Sequence, residues 1–491
     1  MKEYVKSAMT KYKCQICNKI VELEDIDSTN SCPKCGVDKS FLEPTIEKQE
    51  TISRPEIMGP IPISKDNPGI ERIEEKCIKC GRCSTICQKQ VGISYNKDKA
   101  LKPVCLSCGQ CILNCPVGAI VPKYCYKKVM AYINDTQKVV IAYTSPAVRV
   151  ALGEEFSSTE VNVEGKMVSV LKELGFNYVF DTTFGADLTI MEEASELIDR
   201  LQHKGNIPQF TSCCPAWVKY LEIYHPKLIK HLSSCKSPIG MQGAVVKNYF
   251  TKMMDIPKEN IITVAITPCT AKKYEITLPN NNDTDFVITT SELAMMIREN
   301  NIDFNSLKEK EFDSIMSKGS GAGVIFGNSG GVMEAAVRTA YHLITKKEPP
   351  QKLLDFKAVR GYNNMKTATI ELANYKLRLL VVHGCSTIEP LLKELEENNC
   401  LEYDFIEVMN CPGGCIGGGG QPFGANSKQQ ETAQRRINGL YQEDNKEKIR
   451  CSYENPDIID IYNSYLQHPL SPKSKQLLHT DYQDLSSILG E

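Results

Sequence analysis

A chain of 491 residues with a formal charge of −2 is long enough for about two to four domains and offers no strong net attraction to nucleic acid or to a membrane surface. No apolar run approaches the ~20 residues of a membrane span, and Met1-Lys2-Glu3-Tyr4 does not open a secretory signal, so a cytoplasmic location is expected. The 22 cysteines do not suit a disulfide scaffold in that compartment; their short spacings point to metal, and the seven scattered histidines leave thiolate as the ligand type.

The first segment carries Cys14-x2-Cys17 and, after fourteen intervening residues, Cys32-x2-Cys35. Two such knuckles make a tetrahedral four-sulfur site that suits iron or zinc. With CPKCGV followed by Asp38, residues 1–44 resemble a rubredoxin-like module of the rubrerythrin type, which implies one mononuclear iron; Asn18 stands where rubredoxins usually carry glycine, so zinc stays open. A module this small needs its metal to fold. Residues 45–70, polar and punctuated by Pro55, Pro60, Pro62 and Pro68, read as an extended linker.

Over 71–137 the runs Cys77-x2-Cys80-x2-Cys83-x3-Cys87 and Cys105-x2-Cys108-x2-Cys111-x3-Cys115-Pro116 repeat the bacterial two-cluster ferredoxin pattern. In that pattern the fourth cysteine of each run ligates the other cluster. One [4Fe-4S] cluster is therefore assigned to Cys77, Cys80, Cys83 and Cys115, and the other to Cys105, Cys108, Cys111 and Cys87. Gln88, where proline is usual, leaves the ligands untouched. Cys125 lies outside both runs and reads as a packed thiol.

From 138 to 450 strand-like runs (Val139 to Tyr143, Tyr178 to Asp181, Ile261 to Ile266, Leu377 to Val382, Phe405 to Met409) alternate with helical patterns such as Met167 to Leu174 and Met191 to Gln202. This predicts an α/β domain of mostly parallel sheets flanked by helices, with ligands beyond the carboxyl ends of the strands. Glu407 to Pro422, EVMNCPGGCIGGGGQP, delivers a strand into a loop with Cys411 and Cys415, and its glycines are expected to let the backbone close over a bulky inorganic group. TSCCPAW (Thr211 to Trp217) and TPCTAKKYE (Thr267 to Glu275) are two further cysteine loops.

These three motifs, in this order behind a two-cluster ferredoxin segment, resemble the signatures of the iron-iron hydrogenases from about Glu71 to the C-terminus. The resemblance implies reversible 2H⁺ + 2e⁻ ⇌ H₂ at an H-cluster, with the two [4Fe-4S] clusters as the electron relay. Matched residue by residue, Cys214, Cys269, Cys411 and Cys415 would ligate a [4Fe-4S] cubane. Cys415 would also bridge to a two-iron subcluster with carbonyl, cyanide and azadithiolate ligands, which implies dedicated maturation proteins. Phe326, Pro146 and Met409 would line the cluster, and Lys272 would hydrogen-bond a cyanide.

Cys213 would pass protons to the bridgehead amine. Glu193, Glu196 and Arg200 fall on one helix face, where a solvated ion-paired stripe is the ordinary alternative. The resemblance, carried by MEEASE and LSSCKSP, adds Ser233 and orders the route as Cys213, Glu193, Ser233, Glu196, Arg200.

Thr267, Asn410, Ser145, Ala147 and Ile239 depart from the family's common residues and mark a distinct subgroup without touching a ligand. From 451 to 491, NPDIIDIYNSYL and LLHTDY resemble the small-subunit-like helical belt of the same enzymes. Cys235, Cys385, Cys400 and Cys451 have no motif partner and read as core or surface thiols. A hydrogenase-related iron-sulfur assembly protein and a hydrogen sensor are the competing functions. The former loses the Cys213-Cys214 pair and the surroundings of Lys272; the latter would carry a signalling domain or altered relay residues. Ferredoxin is the electron carrier the resemblance implies.

Overall fold

The computed structural model describes residues 10–14, 19–23, 30–44, 59–93, 103–314, 316, 319–422 and 429–490. It divides into two compact units, Met1–Met58 and Gly59–Glu491. In the first, β1 (Thr10–Cys14) is the middle of an antiparallel sheet with β2 (Ile20–Leu23) and β3 (Leu42–Pro44) at its edges. Its buried core is Cys14, Val21, Cys32 and Leu42. A core of that size is too small to sustain a fold by apolar burial alone.

The second unit opens with a tight stretch rather than a tether. Of the linker expected over 45–70, residues 45–58 lie outside the described residues, and residues 59–70 are packed. Ile61 is an apolar anchor beside Cys83, Ser84 donates to the Gly59 carbonyl, and the Asn67 side chain accepts from the N–H groups of Gly69 and Ile70. The prolines set an extended course, but one apolar residue and one Asx turn are enough to fasten it.

Here β4 (Ile70–Arg72) pairs antiparallel with β5 (Ile120–Pro122). Between them lie α1 (Arg82–Val91) and α2 (Gln110–Leu113), each preceded by a glycine at φ 72° (Gly81 and Gly109) directly after a cysteine. That left-handed turn, costly for other residues, reverses the chain so that a Cys-x2-Cys loop can run into a helix.

Beyond residue 138 there are two four-stranded sheets. The first, in the order β10-β9-β6-β7, is wholly parallel: β10 (Phe286–Thr289), β9 (Ile261–Thr267), β6 (Val139–Thr144) and β7 (Tyr178–Asp181). The second is β11 (Met365–Leu372), β12 (Tyr375–His383), β13 (Phe405–Met409) and β8 (Gln209–Phe210), parallel except for antiparallel β11 at its edge. Alternate residues of each strand feed separate cores: Val140, Ala142, Val264 and Ile266 pack on one face of the first sheet, Ile141, Tyr143 and Ala265 on the other. The second sheet splits likewise, with Leu379, Val381 and Phe405 opposite Leu380, Val382 and Ile406. Burial on both faces is why these strands read as continuous apolar runs. β11, half exposed, and β8, two residues long, lacked that signal.

The helices that matter for the site are α3 (Thr183–Gln202), α4 (Pro215–Tyr224), α5 (Gly331–Thr345) and α6 (Gln429–Lys446). After α6 the chain continues through short helices at Pro456–Ile461 and Pro472–Leu478. Two buried carboxylates of α3 fasten this tail. Asp187 accepts from Ser452 and Asn455, and Glu192 accepts from Tyr462, Ser474 and the Leu470 N–H.

Candidate metal centre and proton route

Three strands, from both sheets, deliver the cysteine loops at their carboxyl ends. β8 leads through Thr211 and Ser212 to Cys213 and Cys214, and Cys214 is the N-cap of α4 with Pro215 as its first helical residue. β9 ends at Thr267, whose hydroxyl accepts from the Cys269 N–H at 3.0 Å and fixes the loop that follows. β13 ends at Met409, one residue short of Asn410 and Cys411.

Burial pushes all four of Cys214, Cys269, Cys411 and Cys415 up, and their neighbours push further: Cys269 and Cys214 raise both Cys411 and Cys415, the last to about 12. Cys411 is buried and the other three are partly buried, and four such thiols within each other's field cannot ionise together without a cationic group to neutralise them. That donor set fits an iron-sulfur cluster, since soft thiolates ligate iron and are deprotonated by it.

Two of the glycines allow close approach of backbone. A Cβ on Gly418 would strike the Pro268 carbonyl, and one on Gly419 would lie 2.5 Å from the Gly109 Cα and 2.6 Å from the Cys108 carbonyl. They let this loop lie against two other backbone segments, bringing Cys411 and Cys415 beside both the Cys269 loop and the Cys105–Cys115 run. Gln90 Nε2 to the Asn410 carbonyl (2.8 Å) and Gln110 Nε2 to the Gly417 carbonyl (2.9 Å) hold the same junction.

Cys213 is buried in an apolar cluster with Phe326 and Met409, and Cys415 packs against it. Pro146 is buried at the end of β6. Lys272 Nζ donates to Glu275 at 3.0 Å and lies 3.4 Å from the Cys213 carbonyl. Burial opposes its charge, but Glu275 and the Cys269 thiol outweigh it and raise its pKa, so the ammonium persists with one N–H direction still free for a ligand.

Of the three α3 residues expected on the route, Glu193 is fully buried while Glu196 and Arg200 are slightly exposed. Neither carboxylate oxygen of Glu193 makes a well-aligned hydrogen bond, with Ser233 and the Ser212 N–H as the nearby donors. Burial, then the Glu196 charge, push its pKa up to about 8. Ser233 Oγ donates to Glu196 Oε2 at 2.8 Å, and Arg200 donates to Glu196 Oε1 at 2.7 Å and to the Leu232 carbonyl at 2.6 Å. Burial and then the Glu193 charge hold the Cys213 thiol protonated, which places the two groups within each other's field; no direct hydrogen bond joins them among the described residues.

Cys77, Cys80, Cys83 and Cys115 line one cavity. Cys111, after the dominant effect of burial, is raised by Cys108, Cys105 and Cys87. The fourth cysteine of each run thus lies with the other run. In the first unit, Cys14, Cys32 and Cys35 bring their sulfurs together, Cys14 and Cys35 at 3.6 Å; Cys17 lies outside the described residues.

Residues 138–419, more than half of the chain, match the family described as the iron only hydrogenase large subunit, C-terminal domain. The chain belongs to the iron-only hydrogenase family. Residues 430–485 match the iron hydrogenase small subunit, so that match already includes α6 and starts before the expected boundary at 451. Among hydrogenase relatives, the NADP-reducing hydrogenase subunit HndD of Solidesulfovibrio fructosivorans is 42% identical over 84% of this chain and 74% of its own. Iron hydrogenase 1 of Clostridium pasteurianum is 37% identical over 83% and 75%. The solved apo [FeFe]-hydrogenase of Chlamydomonas reinhardtii superposes with a TM-score of 0.64 at 36% identity, covering 73% of this chain and 98% of that one. A cytosolic Fe-S cluster assembly factor of Xenopus tropicalis is more distant, at 28% over 78% of this chain and 84% of its own.

Within this hydrogenase, the positions that depart from the family pattern are individually placed. Thr267 caps the Cys269 loop. Ile239 packs with Phe180, Met241 and Cys235 under the first sheet. Ala147 is buried against α6 and accepts from Gln421 through its carbonyl. Ser145 bonds through its backbone N–H to Ile266. Asn410 is fully buried beside Cys411 with both amide atoms unpartnered. An orphaned buried polar atom costs ~1–3 kcal/mol, so this amide fits a site with a polar group to meet it.

Sequence reading missed the connection of Cys235 to this region. Its thiol lies 3.9 Å from Glu196 Oε2, and His479 from the tail stands beside both. No local spacing could link residues so far apart in the chain.

Proposed function

We propose that this hydrogenase catalyses 2H⁺ + 2e⁻ ⇌ H₂ at an H-cluster held by Cys214, Cys269, Cys411 and Cys415, with the two-iron subcluster (carbonyl, cyanide, azadithiolate) on Cys415. The convergence of four mutually repelling thiols, buried or partly buried, on loops from both sheets is the observation that carries the reading. When bound, the H-cluster supplies the redox-active iron and a bridgehead amine at which protons and electrons are combined.

The chain's own residues supply protons, shielding and charge. Arg200 and Glu196 collect protons near the surface, Ser233 Oγ passes them inward, and Glu193 carries them in the dry interior to Cys213 Sγ. A carboxyl with a pKa of about 8 is largely protonated at neutral pH, so it can donate without holding a buried charge. Phe326, Met409 and Pro146 exclude water, and the free N–H of Lys272 offers a hydrogen bond to an anionic cyanide.

Electrons would arrive through a [4Fe-4S] cluster on Cys77, Cys80, Cys83 and Cys115, then one on Cys105, Cys108, Cys111 and Cys87, each ligand set forming part of a 71–137 ferredoxin-like domain. Cys80 is exposed and Ile78 beside it is 61% exposed, which suits a ferredoxin docking there. The 1–44 rubredoxin-like module would hold one mononuclear iron, or zinc, on Cys14, Cys17, Cys32 and Cys35. Assembly requires hydrogenase maturation proteins, and a cytoplasmic location belongs to this reading. No described helix is long and apolar enough to cross a membrane.

The assembly-factor reading accounts for the cubane ligands but gives the Cys213, Glu193 and Lys272 arrangement no task. Infrared spectra of the matured protein test the choice. Carbonyl and cyanide bands together with hydrogen turnover are expected; a protein with full cubane content and no such bands after maturation would overturn it.

A further inference from the structure

Glu196, Cys235 and His479 come together from α3, the segment after α4 and the C-terminal tail. One ligating atom of each lies within 4.8 Å of the other two. Cys235 is buried, and the side chains of Glu196 and His479 are only 12% and 8% exposed. The histidine is oriented from behind. His479 Nε2 meets Glu192 Oε2 at 3.0 Å, and Glu192 also accepts from Tyr462, Ser474 and the Leu470 N–H, so it is a fixed, ionised acceptor. The Nε2 proton therefore points at Glu192, and the Nδ1 lone pair accepts from Ser234 Oγ at 2.7 Å, a hydrogen bond that a metal at Nδ1 would replace.

A carboxylate behind a histidine that stands beside a thiol and a second carboxylate is the arrangement that tunes a metal-ligating imidazole. Charge agrees. Glu192, Glu196 and a Cys235 thiolate against Arg200 sum to −2, which one divalent cation neutralises. A crevice between Ser212, Thr480 and Tyr482 reaches Cys235.

We propose that Glu196, Cys235 and His479 form a binding site for a borderline divalent cation, zinc above all, that shuts the proton route. One sulfur, one nitrogen and one oxygen with a fourth position for water is a zinc donor set. Binding replaces the Cys235 thiol proton, released to solvent, with a sulfur–metal bond, and takes Glu196 Oε2 from Ser233. The inhibitory half rests on the proposed route through Glu196; the metal site does not.

The test uses the matured full-length enzyme and zinc chloride, with Cys235→Ala and His479→Gln as variants outside the route. Zinc retained after gel filtration, iron content and hydrogen evolution before and after zinc are measured for each. The wild type should retain one zinc more than either variant at unchanged iron content and lose turnover. Glu192→Gln should weaken binding by the roughly 10–100-fold typical of a lost outer-shell carboxylate, and each ligand variant by at least as much. Equal zinc retention and equal inhibition in wild type and both variants would overturn the site. The extra zinc without loss of turnover would leave the site standing and overturn the route through Glu196.

Discussion

The ligand set proposed over 77–115 and the one proposed at the catalytic centre would use the same chemistry with opposite architectures. In the first, eight cysteines sit on two short, near-identical runs, each turned into a helix by a left-handed glycine. In the second, four cysteines arrive from Cys214 to Cys415 on loops that only the packing of two sheets brings together. A ligand set written into one stretch tolerates an exposed edge, as at Cys80. A set assembled by tertiary structure is as dry as the core that assembles it, and in the proposed route that dryness would let Glu193 and Cys213 hold protons.

The largest effect should follow from a break in the assembled set. Cys411→Ala is expected to abolish hydrogen turnover, with loss of the cubane signal in electron paramagnetic resonance and of the carbonyl and cyanide bands, while the 77–115 clusters remain. Survival of the bands would show that the four cysteines are not one ligand set.

Cys80→Ala attacks the local set at its exposed edge. Turnover with reduced ferredoxin should fall by an order of magnitude or more, whereas a small artificial donor should recover most of it and the infrared bands should persist. Equal losses with both donors would mean that this cluster is not an electron entrance.

The smallest effect is expected from removal of residues 1–58, which form a separate unit with their own small core. Absorption of a ferric tetrathiolate should vanish, and turnover with the artificial donor should stay within about twofold. Collapse of the infrared bands in the truncated protein would show that this unit is needed for the catalytic centre itself.

The same contrast sets what could be read from the sequence. Spacing alone was enough to predict a ligand set over Cys77 to Cys115, because a local set repeats local intervals. Glu193, Glu196 and Arg200 were legible as one helix face, while their roles, and Ser233, came only with the three family motifs. The parallel strands read as apolar runs because both faces are buried. For Gly418 and Gly419 a run of glycines signals close approach but not to what; their neighbours in the fold are Pro268 and Gly109, far away in the chain. Asn410, Cys235 and His479 carried no local signal at all, and their meaning depends on partners supplied by other elements.

The central claim is that adjacent cysteines divide the work, Cys214 holding the cluster and Cys213 moving protons. The direct test is hydrogen turnover of matured Cys213→Ala, normalised to its infrared-detected cluster content. Cluster content should match the wild type and turnover should fall ~10²–10⁴-fold, the usual worth of a placed proton donor. Cys213→Asp, which restores a titratable group, should recover part of the loss. Near-normal turnover in fully loaded Cys213→Ala would contradict the division and with it the route through Glu193, Ser233 and Glu196.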